Sequence, residues 1–328
     1  MHLDPFELHR PESVGETLRL AREFAPGFDY LAGGTDLLPN YKMHLNVRPH
    51  LIALDRIPEL QGHDLDRLGA MARLADLDQD PEIARHYPAL REAVHGVATP
   101  LVRATGTVGG NLLVETRCFF FNQSFFWRAS LGFCLKADGD RCHVVPQKEK
   151  CYATFSGDLA PALMVLGASV EIAGPDGVRR LPLADLYAAD GDGIQRHRLR
   201  PGELLVSVRL PPEARRRRSS YLKLRPRPSY DFPELGLAVA LFREGDQLSA
   251  LDIAAGGLET YPRSFPAITE AFVGRPLTTD RIAELAKAVQ AAVRPVHNTA
   301  YPPDYRKRMT GVFVRRAVTA LWDPRGAS

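Results

Sequence analysis

The sequence predicts an α+β fold made of two domains, and three observations support that prediction. Its 328 residues exceed the length of one ordinary domain. Hydrophobic residues make up 45% and charged residues 25%, the composition of a globular protein with a sizeable core. Strand and helix patterns mix before an arginine-rich segment at 211–218, whereas strands and then helices follow it.

Charge and hydropathy exclude several classes of protein. The net charge is +3, from 42 Lys and Arg against 39 Asp and Glu, which is too near neutral to indicate a nucleic-acid partner. The amino terminus shows no apolar signal core, and the longest apolar run, 159–168, is far shorter than the ~20 residues of a membrane helix. We therefore expect a soluble, cytoplasmic protein without a nucleic-acid or membrane partner.

The amino-terminal segment predicts a βαβ-like unit. Ser13 and Glu16 have the spacing of a capping box at the start of a helix over 13–24. A short strand, a helix and a second buried strand follow over 30–32, 37–43 and 50–54.

The middle of the chain predicts helices, a turn and a hairpin. The helices cover 80–95 and 159–166, a glycine-rich turn covers 105–111, and a hairpin begins at 169–172 and turns at 174–177. A strand follows at 204–210.

The segment PPEARRRR at 211–218 predicts a solvated linker, with the domain boundary between residues 213 and 214. Docking of an acidic partner by its four arginines is the alternative. Beyond the linker the patterns predict strands at 220–224, 237–242 and 248–255, then helices at 279–292 and 304–322.

The first candidate binding motif is Ala32-Gly33-Gly34-Thr35-Asp36, between a predicted strand and a predicted helix. Glycines let the backbone approach a phosphate, and free N–H groups at a helix start favour an anion. The motif is neither the dinucleotide fingerprint nor a P-loop. A tight turn that merely needs glycine explains it equally well.

A second motif of the same kind is Thr107-Val108-Gly109-Gly110-Asn111. By itself it also has the interpretation of a simple turn. Together, the two glycine-rich loops predict a diphosphate held between two subdomains, which is more specific than either loop alone.

All four cysteines, Cys118, Cys134, Cys142 and Cys151, fall in one segment with the spacing Cys-x15-Cys-x7-Cys-x8-Cys. Burial alone would not cluster them, whereas four thiolates can hold an iron–sulfur cluster or a zinc ion. Zinc sites usually include a close cysteine pair, which is absent here. The spacing therefore favours a [4Fe-4S] cluster, with zinc and unligated or redox-active thiols as alternatives. The aromatic stretch 119–127 would shield the cluster or form a small core of its own.

The segments AGGTDLLPNYK and TVGGNL resemble the two flavin-binding loops of the FAD subunits of molybdenum hydroxylases, the xanthine dehydrogenase and carbon monoxide dehydrogenase family. The similarity extends to FELHRPESV near the start, to 158–163, and to a closing helix with Tyr305-Arg306 and 314–317. It implies a two-subdomain FAD-binding domain of the PCMH or vanillyl-alcohol-oxidase-like type over 1–213, with subdomains at about 1–57 and 58–213. A C-terminal α+β domain of the CO dehydrogenase flavoprotein type would follow over 214–328.

The same resemblance implies which residues bind FAD. Asp158 would contact the adenosine or ribitol hydroxyls, and Lys223 would lie near the isoalloxazine, although a solvated strand lysine is the alternative for Lys223. The residues that would wrap the diphosphate and ribitol are Leu31, Ala32, Gly33, Gly34, Thr35, Asp36, Leu37, Thr107, Val108, Gly109, Gly110 and Asn111.

The chain departs from the common family pattern in a cysteine-rich insertion at about 112–157. Four cysteines at this spacing resemble the β subunit of 4-hydroxybenzoyl-CoA reductase. This resemblance implies an electron-transfer subunit with FAD and a [4Fe-4S] cluster and with no catalytic residue of its own. Its partners would be a large molybdopterin subunit and a small [2Fe-2S] subunit, in a dimer of heterotrimers, and a ferredoxin-like electron donor.

The complex would reductively remove the phenolic hydroxyl of 4-hydroxybenzoyl-CoA to give benzoyl-CoA. Two alternatives remain at this stage. One is the FAD subunit of an oxidising molybdenum hydroxylase acting on an aldehyde, purine or N-heterocycle. The other is a zinc-stabilised, non-catalytic assembly protein.

Overall fold

The computed structural model describes residues 3–323, which form three sheets with helices packed around them. The first sheet is parallel, with the strand order β1-β3-β2. Its elements are β1 (Glu7–His9), α1 (Val14–Phe24), β2 (Phe28–Leu31), α2 (Leu37–Lys42) and β3 (His50–Ala53). The predicted βαβ-like unit and the start of its first helix are confirmed, since the Ser13 side chain accepts a hydrogen bond from the Glu16 N–H at 3.2 Å.

The second sheet is antiparallel, in the order β4-β7-β5-β6, and helices pack on it. The predicted hairpin is confirmed, with Gly174 paired to Gly177. This part of the chain contains β4 (Arg67–Gly69), α3 (Leu74–Gln79), α4 (Pro81–His86), α5 (Pro88–Gly96), α6 (Pro100–Thr105), α7 (Val108–Leu112), α8 (Phe125–Ser130), α9 (Leu159–Val165), β5 (Ser169–Gly174), β6 (Gly177–Pro182) and β7 (Leu204–Arg209).

Two predictions in this region are wrong in detail. The single helix expected over 80–95 is two helices, because Pro88 disfavours the helical conformation at Tyr87, whose φ is −133°. The glycine-rich turn at 105–111 is in fact a helix start: the Thr107 side chain accepts a hydrogen bond from the Gly110 N–H at 3.1 Å and caps α7.

The third sheet is antiparallel, in the order β11-β10-β9-β8, and α11 and α12 follow it in sequence as predicted. Its elements are β8 (Arg218–Leu224), β9 (Leu235–Glu244), β10 (Gln247–Gly256), β11 (Arg263–Ser264), α10 (Pro266–Thr269), α11 (Thr279–Ala292) and α12 (Pro303–Trp322). Residues 324–328, the end of the predicted C-terminal domain, lie outside the described residues.

The third sheet is buried on both faces. Along β9, Leu237 and Val239 pack with α11 and α12, whereas Ala238 and Ala240 belong to the core around the second sheet. Alternate side chains of one strand therefore join the C-terminal helices to the amino-terminal part of the chain.

The segment 211–218 is structured, so the prediction of a solvated linker is wrong. A short 3-10 helix covers Pro212–Arg216. Arg215 pairs with Asp66, and Arg217 pairs with Asp252 and donates to the Val165 carbonyl at 3.2 Å. These arginines therefore connect the sheets on either side.

The α+β fold class is confirmed by this mixture of helices and sheets. Within residues 3–323, the structure contains no helix with the length and hydropathy needed to cross a membrane.

Candidate cofactor site

The two glycine-rich loops lie against each other. A Cβ placed on Gly33 would lie 2.0 Å from the carbonyl oxygen of Thr105, so only glycine permits this approach. A Cβ on Gly110 would lie 4.0 Å from the Cβ of Ala32. Thr35 and Gly110 are exposed at the junction, which leaves a hydroxyl and an open stretch of backbone available to a ligand.

Other residues of the second loop stabilise the fold around it. The Thr107 side chain caps α7, Val108 is fully buried, and Gly109 lies against Ala70. The Asn111 side-chain oxygen accepts a hydrogen bond from the Leu159 N–H at 3.0 Å, which ties this loop to the start of α9. Gly110 is therefore the exposed residue of the second loop, where a ligand can approach closely, although its own N–H already donates to Thr107.

Asp158 and Lys223 meet in a buried cluster. The Lys223 ammonium lies 3.0 Å from the Asp158 carboxylate and donates to the Gly96 carbonyl at 2.9 Å. The side chains of Lys223 and Asp158 are 6% and 3% exposed, so the interpretation of Lys223 as a solvated strand lysine is wrong. Burial lowers the pKa of Lys223, and the Asp158 charge opposes that shift.

Tyr221, which was not predicted from the sequence, completes this cluster. Its hydroxyl donates to Asp158 at 2.7 Å, and burial together with the Asp158 charge raises the pKa of the phenol well above its usual value. Tyr221 lies two residues before Lys223 on β8, and residues two apart on a strand share a face. That spacing is the signal that would have found it.

Asp36, in the first loop, holds the insertion rather than capping its own helix. Its carboxylate accepts a hydrogen bond from the Glu115 N–H at 3.4 Å and pairs with Arg117. Arg117 also donates to the Asn40 side chain at 2.8 Å. Arg117 was not predicted from the sequence, where its only signal is its position next to Cys118.

The insertion closes into a loop at a narrow neck. Arg117 and Thr154 exchange two backbone hydrogen bonds, of 2.9 and 2.7 Å. Beyond this neck the four cysteines are brought together: Cys118, Cys134, Cys142 and Cys151 are each 5–8% exposed, form no disulfide and line one cavity.

The sulfurs do not have the spacing of a preformed site for one metal ion. A tetrahedral zinc ion with bonds of about 2.3 Å places its sulfurs about 3.8 Å apart. Among residues 3–323, three ligand atoms within 4.8 Å of one another are found only at Glu7, His9 and His50, so no three of these sulfurs are that close. The cavity between them is about 10 Å³, so their side chains would also have to spread as a cluster assembles.

Backbone N–H groups and burial shape the chemistry of the sulfurs. The Phe121 N–H points at the Cys118 Sγ and the Ala153 N–H at the Cys151 Sγ, both at 3.4 Å. Burial raises the pKa of the Cys118 thiol to about 11 and that of Cys151 to about 12. Such thiols stay protonated at neutral pH unless a metal takes the proton's place.

A buried cation lies at the same cavity. The Lys136 side chain is 4% exposed, pairs with Glu115 at 2.6 Å and donates to the Gly193 carbonyl at 2.7 Å. Arg196 also pairs with Glu115, at 3.2 Å. With Arg117 and Asp36, this network has three cations and two carboxylates, an excess of positive charge between the cysteines and the first glycine-rich loop.

A larger cavity of about 460 Å³ lies between the neck of the insertion and the C-terminal part of the chain. Cys118 lines both this cavity and the one between the cysteines. The Ser156 hydroxyl lines the larger cavity and has no hydrogen-bond partner among the described residues. The volume falls within the roughly 300–1,000 Å³ of ligand pockets, and the unpaired hydroxyl fits a polar ligand.

Two family models match the chain in succession. Residues 4–213 match the FAD binding domain in molybdopterin dehydrogenase, and residues 220–321 match the CO dehydrogenase flavoprotein C-terminal domain. Solved structures share this fold. The carbon monoxide dehydrogenase from Hydrogenophaga pseudoflava that lacks the Mo-pyranopterin moiety gives a TM-score of 0.78 at 27% identity, over 98% of this chain and 99% of that chain. Quinoline 2-oxidoreductase from Pseudomonas putida 86 shares the fold, with a TM-score of 0.75 at 22% identity, over 100% of this chain and 99% of that chain.

Sequence relatives point to the same family. The aldehyde oxidoreductase FAD-binding subunit PaoB of Escherichia coli (strain K12) is 36% identical over 244 residues, which is 71% of this chain and 76% of PaoB. The carbon monoxide dehydrogenase medium chain of Hydrogenophaga pseudoflava is 28% identical over 97% of both chains. This chain therefore belongs to the FAD-binding medium subunits of the molybdenum hydroxylase family, oxidoreductases of the carbon monoxide dehydrogenase and xanthine dehydrogenase type.

Proposed function

We propose that this chain is the electron-transfer subunit of a molybdenum-dependent oxidoreductase and that it holds both FAD and a [4Fe-4S] cluster. One observation carries the proposal: Cys118 forms part of the wall of the cysteine cavity and of the larger cavity beside it. None of the residues that would bind FAD lines the larger cavity, but its lining residue Arg117 pairs with Asp36 of the first glycine-rich loop. A flavin that extends from that loop into the larger cavity would therefore be next to a cluster on the cysteines, as electron transfer requires.

The FAD diphosphate and ribitol would lie along the two glycine-rich loops, at Leu31–Leu37 and Thr107–Asn111. The junction of Gly33 and Thr105, with Thr35 and Gly110 exposed beside it, supports this placement. Asp158 would act on the cofactor chiefly by holding Lys223, because its side chain is 3% exposed and bonded to Tyr221 and Lys223. When bound, FAD supplies one- and two-electron chemistry.

The four cysteines would be the cluster ligands. The sequence lacks the close cysteine pair that is usual in zinc sites, which favours a polynuclear cluster over a single zinc ion. The excess positive charge around Lys136 would stabilise the negative charge of a thiolate-bound cluster. The two N–H groups directed at Cys118 and Cys151 would act in the same direction.

The chemical step would take place on a partner chain. The family models describe a FAD-binding domain and a flavoprotein domain, and the relatives are named as a subunit and a chain of larger enzymes. We assign as partners a large molybdopterin subunit and a small [2Fe-2S] subunit, in a dimer of heterotrimers, with a ferredoxin-like carrier outside the complex. Free thiols at all four cysteines fit a cytoplasmic protein.

For the substrate we favour an aldehyde, oxidised at the molybdenum subunit with electrons leaving through this chain. The support is the 36% identity to an aldehyde oxidoreductase subunit. Reductive dehydroxylation of 4-hydroxybenzoyl-CoA is the second candidate, and the cysteine insertion alone favours it.

The decisive experiment is anaerobic purification of the whole complex, followed by iron, sulfide, flavin and molybdenum analysis. We expect about four irons per FAD beyond those of the small subunit. Cys134→Ser should remove those irons and leave FAD bound. Phe126→Ser, at an 83% exposed side chain of the same insertion, is the matched control and should change neither.

Two results would overturn parts of the proposal. Unchanged iron in Cys134→Ser would remove the ligand assignment, and bound zinc in a colourless preparation would support the assembly-protein alternative. For the substrate, the complex is assayed with aldehydes and an artificial acceptor, and separately with 4-hydroxybenzoyl-CoA and a low-potential donor. Turnover in the second assay alone would reverse our order of candidates.

A further inference from the structure

We propose that Glu7, His9 and His50 form a binding site for a divalent metal ion of the zinc class on the first sheet. The site is separate from the cysteines and independent of the function proposed above. Glu7 and His50 are opposite each other in the pairing of β1 with β3, and His9 lies two residues beyond Glu7. Alternate strand residues share a face, so the three side chains lie together by the geometry of the sheet.

The donor atoms lie close to the spacing of metal ligands. The His9 Nε2 lies 3.2 Å from the His50 Nδ1, and the Glu7 carboxylate oxygens lie 3.6 Å from His50 and 3.9 Å from His9. Ligand atoms of a tetrahedral zinc ion with bonds of about 2.0–2.2 Å are about 3.3–3.6 Å apart. One atom from each residue lies within 4.8 Å of the others, so a small movement of the exposed Glu7 side chain would bring all three to tetrahedral spacing, with a fourth position open to water or to another chain.

The imidazoles are held in place before any metal arrives. Phe24, at the end of α1, stacks on both rings, with centroids 4.4 Å from His9 and 4.1 Å from His50. The histidine side chains are 14% and 25% exposed, whereas that of Glu7 is 67% exposed and free to adjust. Two fixed imidazoles and one mobile carboxylate suit zinc better than calcium or magnesium, which prefer oxygen ligands.

A bound ion would clasp the edge strand β1 to the central strand β3. Because β3 also pairs with β2, which leads directly into the first glycine-rich loop, the ion would stabilise the sheet that carries that loop. The alternative is that the two histidines bind no metal and share a single N–H···N hydrogen bond. A zinc-binding measurement decides between a metal site and this hydrogen bond.

The test is zinc titration of the tag-free, metal-depleted complex by calorimetry and thermal unfolding. Wild type should bind one zinc ion per chain more than His50→Phe, which keeps the stacking on Phe24. Removing even an outer partner of a metal ligand costs about 10- to 100-fold in affinity, so loss of this ligand should cost at least tenfold. Zinc should raise the melting temperature of wild type by more than that of the variant.

Two further variants make the result specific. Glu7→Gln, at an exposed position, should weaken binding without unfolding the sheet. His86→Phe removes a histidine on α4 that pairs with Glu82 at 3.4 Å and is not one of the three proposed ligands, so this variant should bind zinc like wild type. Cobalt should show the visible bands of a nitrogen and oxygen site without thiolate charge transfer. Equal binding by wild type and His50→Phe, or cobalt bands that vanish only with Cys134→Ser, would overturn the proposal.

Discussion

The two halves of the candidate cofactor site are built in opposite ways. The glycine-rich loops are held by regular elements, with β2 and α2 around one loop and α7 beginning the other. The insertion at 112–157 has a single full helix beyond its neck, α8, and is fixed by buried side chains. Arg128, for example, is 3% exposed and donates to the Met43 carbonyl at 2.6 Å. The glycine-rich loops should therefore be most sensitive to substitutions that add a Cβ atom. The insertion should be most sensitive to substitutions that remove a charged side chain or a cysteine.

The largest effect is expected from Gly33→Ala. The new Cβ would meet the Thr105 carbonyl at 2.0 Å, backbone against backbone, so the two loops must separate. We expect a loss of about 3 kcal/mol or more in the free energy of unfolding and release of FAD. Denaturant unfolding and the flavin-to-protein absorbance ratio measure both.

Gly15→Ala is the control for this substitution, because nothing lies within 4 Å of its Cβ position in α1. Alanine there should stabilise the helix by up to about 1 kcal/mol. Full flavin content in Gly33→Ala would show that the loops tolerate separation, and the contrast between backbone and side-chain sites would then fail.

Gly139→Ala makes the same change inside the insertion. Its Cβ would lie 2.5 Å from the Phe133 carbonyl carbon and 2.6 Å from the Cys134 nitrogen, so the backbone at a proposed ligand must move. We expect a local cost of about 1–3 kcal/mol, loss of cluster iron and retention of FAD. The iron-to-flavin ratio measures this, and parallel loss of both cofactors would show that the two halves are not independent.

The sequence predicted the parts of this site that depend on local chemistry. The turn between β2 and α2 needs glycine, and four cysteines in one segment indicate a common centre whatever path the chain takes between them. The pairs that join the two halves were not predictable. Arg117 and Asp36 are 81 residues apart, and their contact depends on how an irregular insertion folds back. The contact between Arg217 and Asp252, in the segment predicted to be a linker, was likewise not predictable.

Short-range errors had a different origin. The helix expected over 80–95 has a suitable apolar pattern, yet the backbone restriction that Pro88 places on Tyr87 divides it. Thr107 was predicted to lie in a turn because Gly109 and Gly110 follow it, whereas its side chain caps the helix α7. In both cases the local chemistry of one residue, a proline ring or a capping side chain, outweighed the pattern around it.

The smallest effect, and the most informative about the insertion, is expected from Lys136→Met. Lys136 lies at the cysteine cavity and contributes the excess positive charge of its network. Removing that charge should leave the cluster assembled and shift its midpoint potential to more negative values, by tens of millivolts, because reduction adds negative charge. Lys136→Arg should restore the potential.

Lys148→Met, at a 68% exposed lysine of the same insertion, is the matched control and should leave the potential unchanged. Redox titration followed by electron paramagnetic resonance measures these shifts. If iron content and potential both stay at their wild-type values in Lys136→Met, the buried cation serves only to hold Glu115 and the loop, and charge at this position does not tune the cluster.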